Sequence, residues 1–449
     1  MKILQVAHSF LPHTMGGAEV YCCNLSKELA KRNRVFVFFR VNKPDEKEYA
    51  LTHNSFEGLE VYGVNHTFRM CNSFKDTYYD DVINKKFGEL LDTIKPDIAH
   101  IHHLLFLSHG IVAEVKKRNI PVVYSLHDYW LICYRGQLIK ENLTICEGNS
   151  ILECSDCLRS LLTIKKHSVY LYSRLRKRIP SFLIVLLRRI YLFMMSSRHN
   201  SLSEMEGLRN SVQEILSKID LFLAPSHFIK NKFIKHGFPE QKIIYAPQGL
   251  NCRNFSFAQK KISSILRFAY LGTLLPTKGI DILIQAFKQL KNNGIELLIY
   301  GKVFAYSGFE AYPSFLKRKI YRDNRIKLKG GYDNKDVVKI LSGIDILIVP
   351  SIWQENAPLI IQEAFLSKTP VIASRIGGIP ELVADGVNGL LFNPRDVSDL
   401  QAKIQYIIDN PKIIAKFKNN IPRIKTIENN AKEMEEIYSN IIIKNKLQQ

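Results

Sequence analysis

The stretch "DILIVPSIWQENAPLIIQEAFLSKTPVIAS", residues 345–374, contains the pattern that decides the fold. A short apolar run, ILIV at 346–349, precedes a polar loop, a helix-spaced apolar segment, LIIQEAF, and a second apolar run, VIAS. Two short β-rich runs separated by a helix-length segment predict a strand, a helix and a second, parallel strand. Parallel strands of this kind form sheets that helices cover on both faces.

The same alternation extends through the whole chain. In the first half the runs are KILQVAH at 2, VFVFFR at 35, IAHIHH at 98, VVYSLH at 122 and LFLAPS at 221. In the second half they are RFAYLG at 267, ELLIYG at 296, IKLKGG at 326, DILIVPS at 345 and PVIAS at 370. A chain of 449 residues is also longer than one that an ordinary single hydrophobic core supports. The sequence therefore predicts two doubly wound α/β domains.

The boundary between the two domains is predicted within YAPQGLNCRNFSFAQKK, residues 245–261. Here a turn with proline and glycine leads into a polar stretch before the next strand. The predicted units are residues 1–252, with an insertion at about 130–205, and residues 253–425. We expect the helical tail, residues 426–449, to pack back in part on the first domain.

Two carboxylates flank the predicted helix start in the opening stretch. Glu355 lies in the loop, Pro358 suits the first helical position, and Glu363 lies inside the helix. Free N–H groups at a helix start suit a phosphate, whereas carboxylates suit hydroxyl donors. The pattern predicts a ligand with a diphosphate between a sugar and a ribose. Two unrelated acids on a solvated helix face are the alternative.

Other loops that follow predicted strands carry compatible residues. Lys278, after RFAYLG, has a charge that can neutralise a phosphate. Gly16 and Gly17 precede the first predicted helix, an arrangement typical of phosphate binding, although the dinucleotide fingerprint G-x-G-x-x-G is absent. Gly377 and Gly378, after PVIAS, permit close approach of the backbone to a ligand.

Taken together, these motifs resemble those of the retaining glycosyltransferases of family 4. The resemblance covers both halves and is dense from residue 267 to 396, in LGTLLPTKG, PSIWQENAPLIIQEAFLSKTPVIAS and GGIPELVADGVNGLLF. It implies the GT-B fold, in which two Rossmann-like domains face a cleft, an acceptor-side first domain and a second domain that binds a nucleotide sugar as co-substrate. It also implies transfer with retention of the anomeric configuration and no catalytic metal.

The resemblance also implies roles for individual residues. The first glutamate of its E-x7-E motif, Glu355, contacts the donor sugar, and the second, Glu363, contacts the nucleotide ribose. Lys278 binds phosphate, and Glu355, Lys278 and His127 are the expected catalytic residues. The implied donor-binding residues are Gly16, Gly17, Lys278, Glu355, Asn356, Ala357, Leu359 and Glu363.

His127 ends the strand VVYSLH, where the family often has a histidine near the transferred sugar or the acceptor. At that position it can donate to a sugar hydroxyl or titrate near neutral pH. A structural histidine held by hydrogen bonds is the alternative.

The chain departs from the family pattern at Thr273, where an arginine usually supplies a second phosphate-binding cation. Lys278 together with a helix start can supply enough positive charge to bind the diphosphate. Alternatively, Arg267, Lys302 or Arg375 supplies the second cation. The sequence leaves these alternatives open.

Four cysteines cluster in the predicted insertion: Cys133, Cys146, Cys154 and Cys157. In a reducing compartment a C-x-x-C pair with two further cysteines nearby favours a tetrahedral structural zinc over disulfides. Such a zinc would hold the insertion together and perform no chemistry.

The net charge of +21 is concentrated in one segment. Residues 158–203 contain ten lysines or arginines and no aspartate or glutamate. Their mixture with apolar residues predicts amphipathic helices at an anionic bilayer surface. Helices packed within the domain, with solvated arginines, are the alternative. A nucleic-acid partner is not expected, because no recognisable RNA-reading module is present.

The start, MKILQVAHSFLPH, is predicted to be a strand rather than a signal peptide, and no apolar run reaches the length of a membrane span. We therefore expect a cytoplasmic enzyme, peripheral on the inner face of the membrane. Its expected acceptor is a saccharide or lipid-linked saccharide, in cell-surface polysaccharide or lipopolysaccharide synthesis. A sugar-nucleotide epimerase and a non-catalytic subunit of a glycan-assembly complex are the alternatives.

Overall fold

The computed structural model of the chain describes residues 1–447 apart from 15, 149, 163–198, 254, 256–263 and 304–308. In this part of the chain the strands form one eight-stranded and one six-stranded sheet. The predicted fold class, α/β with two doubly wound Rossmann-like domains, is confirmed. Most of the predicted basic amphipathic segment lies outside the described residues.

The first sheet contains β1 (Lys2–Ala7), β2 (Arg34–Val41), β3 (Leu51–Phe56), β4 (Leu59–Asn65), β5 (Ile98–Ile101), β6 (Val122–Ser125), β7 (Leu221–Ala224) and β8 (Ile243–Tyr245). Their order is β3-β4-β2-β1-β5-β6-β7-β8. Only the β3–β4 edge pair is antiparallel within the described sheet. In the register of the central strand, Ile3 pairs with Val35 on one side and Ile98 on the other.

The second sheet contains β9 (Leu266–Leu271), β10 (Ile295–Tyr300), β11 (Ile326–Gly330), β12 (Ile346–Val349), β13 (Val371–Ser374) and β14 (Gly389–Phe392). Its order is β11-β10-β9-β12-β13-β14, and its described pairs are parallel. Strand β12 is buried along its whole length, as expected for a strand covered on both faces.

The described helices are α1 (Gly17–Leu29), α2 (Asp81–Ile94), α3 (Gly110–Lys116), α4 (Ile151–Leu162), α5 (His199–Lys218), α6 (His227–Lys235), α7 (Ile280–Lys288), α8 (Tyr312–Ile320), α9 (Val337–Ser342), α10 (Leu359–Leu366), α11 (Ile379–Leu382), α12 (Val397–Asp409), α13 (Ile413–Asn419) and α14 (Ile427–Leu447). Helix α10 buries Ile361, Ala364 and Phe365, which the helical repeat places on one face. In the described part of the chain, no helix is both long and apolar enough to cross a membrane.

The strand order places a switch point in each sheet. Strand β1 lies between β2 and β5, and β9 lies between β10 and β12, so the chain changes direction across the sheet beside each of them. Ligands of open parallel sheets bind at such points, beyond the carboxyl ends of the strands. The loops after β1, β5, β9 and β12 are therefore expected to contribute to a site.

The last helix returns to the first domain. Ala431, Met434 and Tyr438 of α14 are buried against apolar side chains of that domain, including Ile3 and Leu25. The Tyr438 hydroxyl is also 2.6 Å from Nδ1 of His100 in β5.

Candidate functional site

The cleft between the two sheets encloses a cavity of about 640 Å³ lined by loops of both domains. All the predicted donor-binding and catalytic residues line it: Gly16, Gly17, His127, Lys278, Glu355, Asn356, Ala357, Leu359 and Glu363. Their roles toward a ligand stay predictions. The structure brings them together from positions up to about 350 residues apart, because each lies in a loop or helix that follows a parallel strand on the side of the sheet facing the cleft.

The Glu355 carboxylate is buried at the base of the cleft and held by three donors. Its Oε1 accepts from Lys278 Nζ at 2.6 Å, Ser351 Oγ at 2.6 Å and Trp353 Nε1 at 2.8 Å. Sequence reasoning did not single out Ser351 or Trp353, although both lie in the loop after β12. Because these described donors converge on Oε1, the carboxylate has one orientation, in which Oε2 is left to accept from a ligand hydroxyl.

Lys278 forms an ion pair with Glu355 in this structure rather than facing the cavity alone. Its ammonium also lies 5.1 Å from the centre of the Trp353 ring, a cation–π contact. An ammonium has three N–H donors, so one bond to Glu355 leaves two for a phosphate. The pair thus joins the predicted sugar-binding carboxylate to the predicted phosphate-binding cation.

The start of α10 faces the cavity without a side-chain cap. Pro358 has a non-helical backbone, with φ −57° and ψ 117°, so it is the N-cap and the helix begins at Leu359. The expectation that Pro358 occupies the first helical position is wrong by one residue. Leu359 and Ile360 line the cleft, and no side chain caps their helix start, so the first-turn N–H groups are placed to bind an anion.

Glu363 lies on the next turn of α10 and lines the cleft beside Tyr332. Burial raises the pKa of its carboxyl from 4.5 to about 7. Ribose hydroxyls that donate to this carboxylate would favour its ionised form and lower that pKa again.

Helix α1 faces the start of α10 across the cleft. A Cβ built on Gly17 would lie 3.7 Å from Leu359 Cδ1, so the two domains are in contact range here. Gly16 is the N-cap of α1, and a Cβ there would lie 2.6 Å from Glu19 Oε2. A larger residue at position 16 would therefore displace the Glu19 carboxylate.

Gly377 and Gly378 lie against protein backbone, not against the cavity. A Cβ on Gly377 would lie 2.1 Å from the Glu355 carbonyl oxygen, and one on Gly378 would lie 1.9 Å from the Asn356 carbonyl oxygen. The Gly378 N–H also donates to the Glu355 carbonyl at 2.7 Å. The prediction that these glycines approach a ligand is corrected: they support the loop that carries Glu355.

The side chain of Asn356 joins the two domains. Its Nδ2 donates to the Leu126 carbonyl at 2.8 Å, at the end of β6, and its Oδ1 accepts from Ser226 Oγ at 2.9 Å. A second link lies nearby, where the Glu381 carboxylate accepts from the N–H groups of His227 and Phe228, at the start of α6. More than 100 residues separate these partners, so only the folded chain reveals the contacts.

Both ring nitrogens of His127 are hydrogen bonded within the first domain. Gln248 Nε2 donates to Nδ1 at 2.9 Å, and Nε2 is 3.0 Å from His102 Nδ1. Burial, with the nearby charge of His103, lowers the pKa of His127 to about 3, so the expected titration near neutral pH is not supported. The arrangement is that of a neutral, positioned histidine, and its catalytic role stays a prediction.

Two histidine–carboxylate pairs that sequence reasoning missed line the first-domain side of the cleft. His8 Nε2 is 3.3 Å from Glu19, and His103 Nε2 is 3.0 Å from Asp128. Burial raises the pKa of Glu19, but bonds from His8 and Thr14 outweigh it and bring the value to about 2. Burial likewise raises the pKa of Asp128, and the charge and hydrogen bond of His103 more than offset it. Glu19 and Asp128 are thus ionised hydrogen-bond acceptors. The sequence offered one signal for them, which is their position in a helix start after β1 and in a loop after β6.

The three candidates for the missing phosphate-binding cation are separated by their positions. Arg267 lies at the start of β9 and bonds Asp345, at the opposite end of the strand from the cleft. Arg375 is paired with Asp385. Lys302, after β10, lines the cleft.

The predicted zinc site is not formed in the described geometry. All four cysteines are described as free thiols, and no three metal-ligating side chains of the described residues are placed to hold a metal. Burial raises the pKa of the Cys154 thiol to about 12 and also raises the pKa of Cys133 and Cys157. The structural zinc stays a prediction, to which the geometry of the described residues gives no support.

Family models match both halves of the chain. "Glycosyl transferases group 1" matches residues 253–424, and "Glycosyltransferase Family 4" matches residues 15–145. The second match contains the loop after β6 and the first contains both glutamates.

Three relatives show the range of the sequence similarity. An "uncharacterized 42.6 kDa protein in cps region" of Klebsiella pneumoniae is 24% identical over 85% of this chain and 87% of its own length. The "uncharacterized glycosyltransferase MJ1178" of Methanocaldococcus jannaschii is 32% identical over 38% of this chain and 43% of its own. The "lipopolysaccharide 1,2-N-acetylglucosaminetransferase" of Salmonella typhimurium is 29% identical over 37% and 47%. The chain therefore spans less than half of the last two relatives.

Solved structures show the same fold. HepE from Anabaena, in complex with UDP and glucose, superposes with a TM-score of 0.63 at 17% identity, covering 98% of this chain and 99% of that one. Sucrose-phosphate synthase from Thermosynechococcus elongatus superposes with a TM-score of 0.69 at 16% identity and the same coverage. At these identities the likeness concerns the fold alone.

Proposed function

We propose that this chain, which belongs to the family 4-like glycosyltransferases of the GT-B fold, moves a hexosyl group with retention of the anomeric configuration. The proposed donor is a nucleotide-diphosphate sugar, and the proposed acceptor is a saccharide or lipid-linked saccharide. The observation that carries the proposal is the meeting, in one cleft, of Glu355, Lys278, the open start of α10 and Glu363. HepE, which shares the fold, is described in complex with UDP-glucose, a donor of this class.

The order of these groups along the cleft matches the parts of such a donor. Glu355, at the base, accepts bonds from sugar hydroxyls, and the helix start with Lys278 binds the diphosphate. Glu363, further along α10, accepts bonds from the ribose. Each hydrogen bond to a charged group contributes about 1.5–3 kcal/mol.

The proposed mechanism depends on stabilising the leaving group. As the bond between the sugar and the diphosphate breaks, negative charge grows on the phosphate oxygen beside Lys278 and the α10 N–H groups. The acceptor hydroxyl attacks from the same face of the sugar, and its proton passes to the departing phosphate. In this mechanism Glu355 positions the sugar through Oε2, while Lys278, Ser351 and Trp353 bond its other oxygen, and no step requires a glutamate to act as a nucleophile.

The acceptor is proposed to enter from the first domain. The ionised Glu19 and Asp128 on that side suit the hydroxyl donors of a saccharide. The descriptions of the Klebsiella and Salmonella relatives support cell-surface polysaccharide or lipopolysaccharide synthesis as the process. Peripheral attachment to the inner face of the membrane is proposed from the basic segment at 158–203 alone.

Two alternative functions would give different results with the donor. A sugar-nucleotide epimerase would isomerise the donor sugar without an acceptor, and a non-catalytic subunit would bind no donor or turn none over. The Thr273 departure favours the second reading, whereas the complete set of Glu355, Lys278 and Glu363 favours transfer.

The test is a screen of nucleotide sugars with lipid-linked saccharide acceptors. We expect thermal stabilisation by one donor, a product with retained configuration, and loss of transfer in Glu355→Gln with nucleotide binding kept. Wild-type turnover in Glu355→Gln would overturn the role of that residue, and an isomerised sugar without acceptor would replace transfer by epimerisation. The control is Glu436→Gln, on the exposed side of α14.

A further inference from the structure

We infer that Lys302 supplies the second positive charge at the donor diphosphate, from the loop after β10, in place of the arginine that Thr273 replaces. This inference rests on the proposed function, because it assigns a residue to the diphosphate of the same donor. It starts from the charge balance of the cleft. Lys278 is already 2.6 Å from the Glu355 carboxylate, so its charge is partly neutralised before a ligand binds.

The loop after β10 is joined directly to the loop that contains Thr273. The Gly272 N–H donates to the Tyr300 carbonyl at 3.1 Å, and the Leu274 N–H donates to the Lys302 carbonyl at 3.0 Å. These bonds bracket Thr273 and place the Lys302 backbone beside it.

Two glycines make this arrangement possible. A Cβ on Gly301 would lie 1.9 Å from the Gly272 carbonyl oxygen, so only glycine lets the two loops approach so closely. A Cβ on Gly331 would lie 2.5 Å from Lys302 Cγ and 2.9 Å from Cε, so the stem of the lysine runs across this residue. The stem of Lys302 therefore lies over Gly331, its ammonium lies 4.0 Å from Asp333, and the residue lines the cavity.

The ammonium of Lys302 is available to a ligand. Its described acidic partner, Asp333, is 4.0 Å away, at the limit of an ion pair, and both side chains are more than half exposed. By contrast, Arg267 and Arg375 are bonded to Asp345 and Asp385, and neither lines the cavity. Of these three cations, Lys302 is the one that lines the cavity, and it does so from the loop that is bonded to Gly272 and Leu274.

The test compares Lys302→Met with the wild type in titrations of UDP and GDP and of the corresponding nucleosides. Methionine keeps most of the apolar stem, and Lys335→Met, an exposed lysine nearby, is the matched control. We expect Lys302→Met to bind the nucleoside diphosphates about tenfold more weakly, as for loss of one charge-assisted contact. Its affinity for the nucleosides should be unchanged. Lys302→Arg should restore affinity, and Gly331→Ala, which keeps the lysine but crowds its stem, should lie between wild type and Lys302→Met.

Equal diphosphate affinity in wild type and Lys302→Met would overturn the inference and leave the proposed function standing. An equal loss for nucleoside and diphosphate would also overturn it, since the residue would then support the fold of the site and not the phosphate. Failure of the wild type to bind any of the nucleotides would instead remove the proposed function, and the inference with it.

Discussion

Replacing Glu363 with glutamine should stabilise the ligand-free protein above neutral pH. Burial in the cleft raises the pKa of this carboxyl from 4.5 to about 7, so the folded chain binds its proton more tightly than the unfolded chain. The contribution of Glu363 to the stability of the wild type is therefore fully present below pH 4.5. That stability is lost as the pH rises to about 7 and stays lost above it.

The size of the effect follows from the pKa difference. For a fully buried carboxylate, this pKa difference corresponds to about 3 kcal/mol of unfolding free energy. Because the edge of the Glu363 carboxylate meets water in the cleft, we expect an effect of about 1–2 kcal/mol. Glutamine has the same shape and no charge to desolvate. At pH 8 its melting temperature should exceed that of the wild type by about 1–2 °C, because a chain of 449 residues has a large unfolding entropy, and at pH 5 by a much smaller amount.

Thermal melts of Glu363→Gln, wild type and the exposed-site control Glu436→Gln at pH 5 and pH 8 measure this directly. The same variant should bind nucleotide sugar about tenfold more weakly at pH 8, because the ribose hydroxyls lose an ionised acceptor. A melting difference that is equal at the two pH values, or a Glu363→Gln protein less stable than wild type at pH 8, would refute the desolvation argument.

Three further predictions test other contacts. Asn356→Ala should open the cleft and lower kcat/KM, because it removes the hydrogen bonds to Leu126 and Ser226. X-ray scattering should show a larger radius of gyration for this variant, and an unchanged radius would contradict the prediction. Tyr438→Phe should cost about 1–3 kcal/mol in denaturant unfolding, because it leaves a buried nitrogen of His100 without its partner, whereas the exposed Tyr321→Phe should be neutral. His127 should contribute no ionisation between pH 6 and 8, since its pKa is about 3; a kcat profile that loses a step near neutral pH in His127→Gln would contradict this.

Alternating apolar runs predicted the ten strands named from the sequence, because fully buried parallel strands are continuous in hydrophobicity. The strands that were missed had weaker signals. The β3–β4 hairpin, LTHNSFEGLEVYGVN, is largely polar in its outer strand, since that strand is an exposed edge. Strand β8 has three residues, and β14, GLLF, has four; neither was named from the sequence.

The sequence by itself indicated which loops reach the cleft, since a residue that follows a parallel strand lies at the same edge of the sheet as its counterparts after other strands. Gly17, Lys278, Glu355 and Glu363, which were named on that basis, line the cleft, and their roles toward a ligand stay predictions. Only the tertiary structure decided what each one contacts. Hydrogen bonds such as Asn356 to Leu126, or Leu274 to Lys302, depend on distances of a few ångströms between segments far apart in sequence, and no local pattern encodes such distances. The same reason explains Gly377 and Gly378: the sequence indicated that a backbone comes close to them, and the folded chain decided that it is the protein's own.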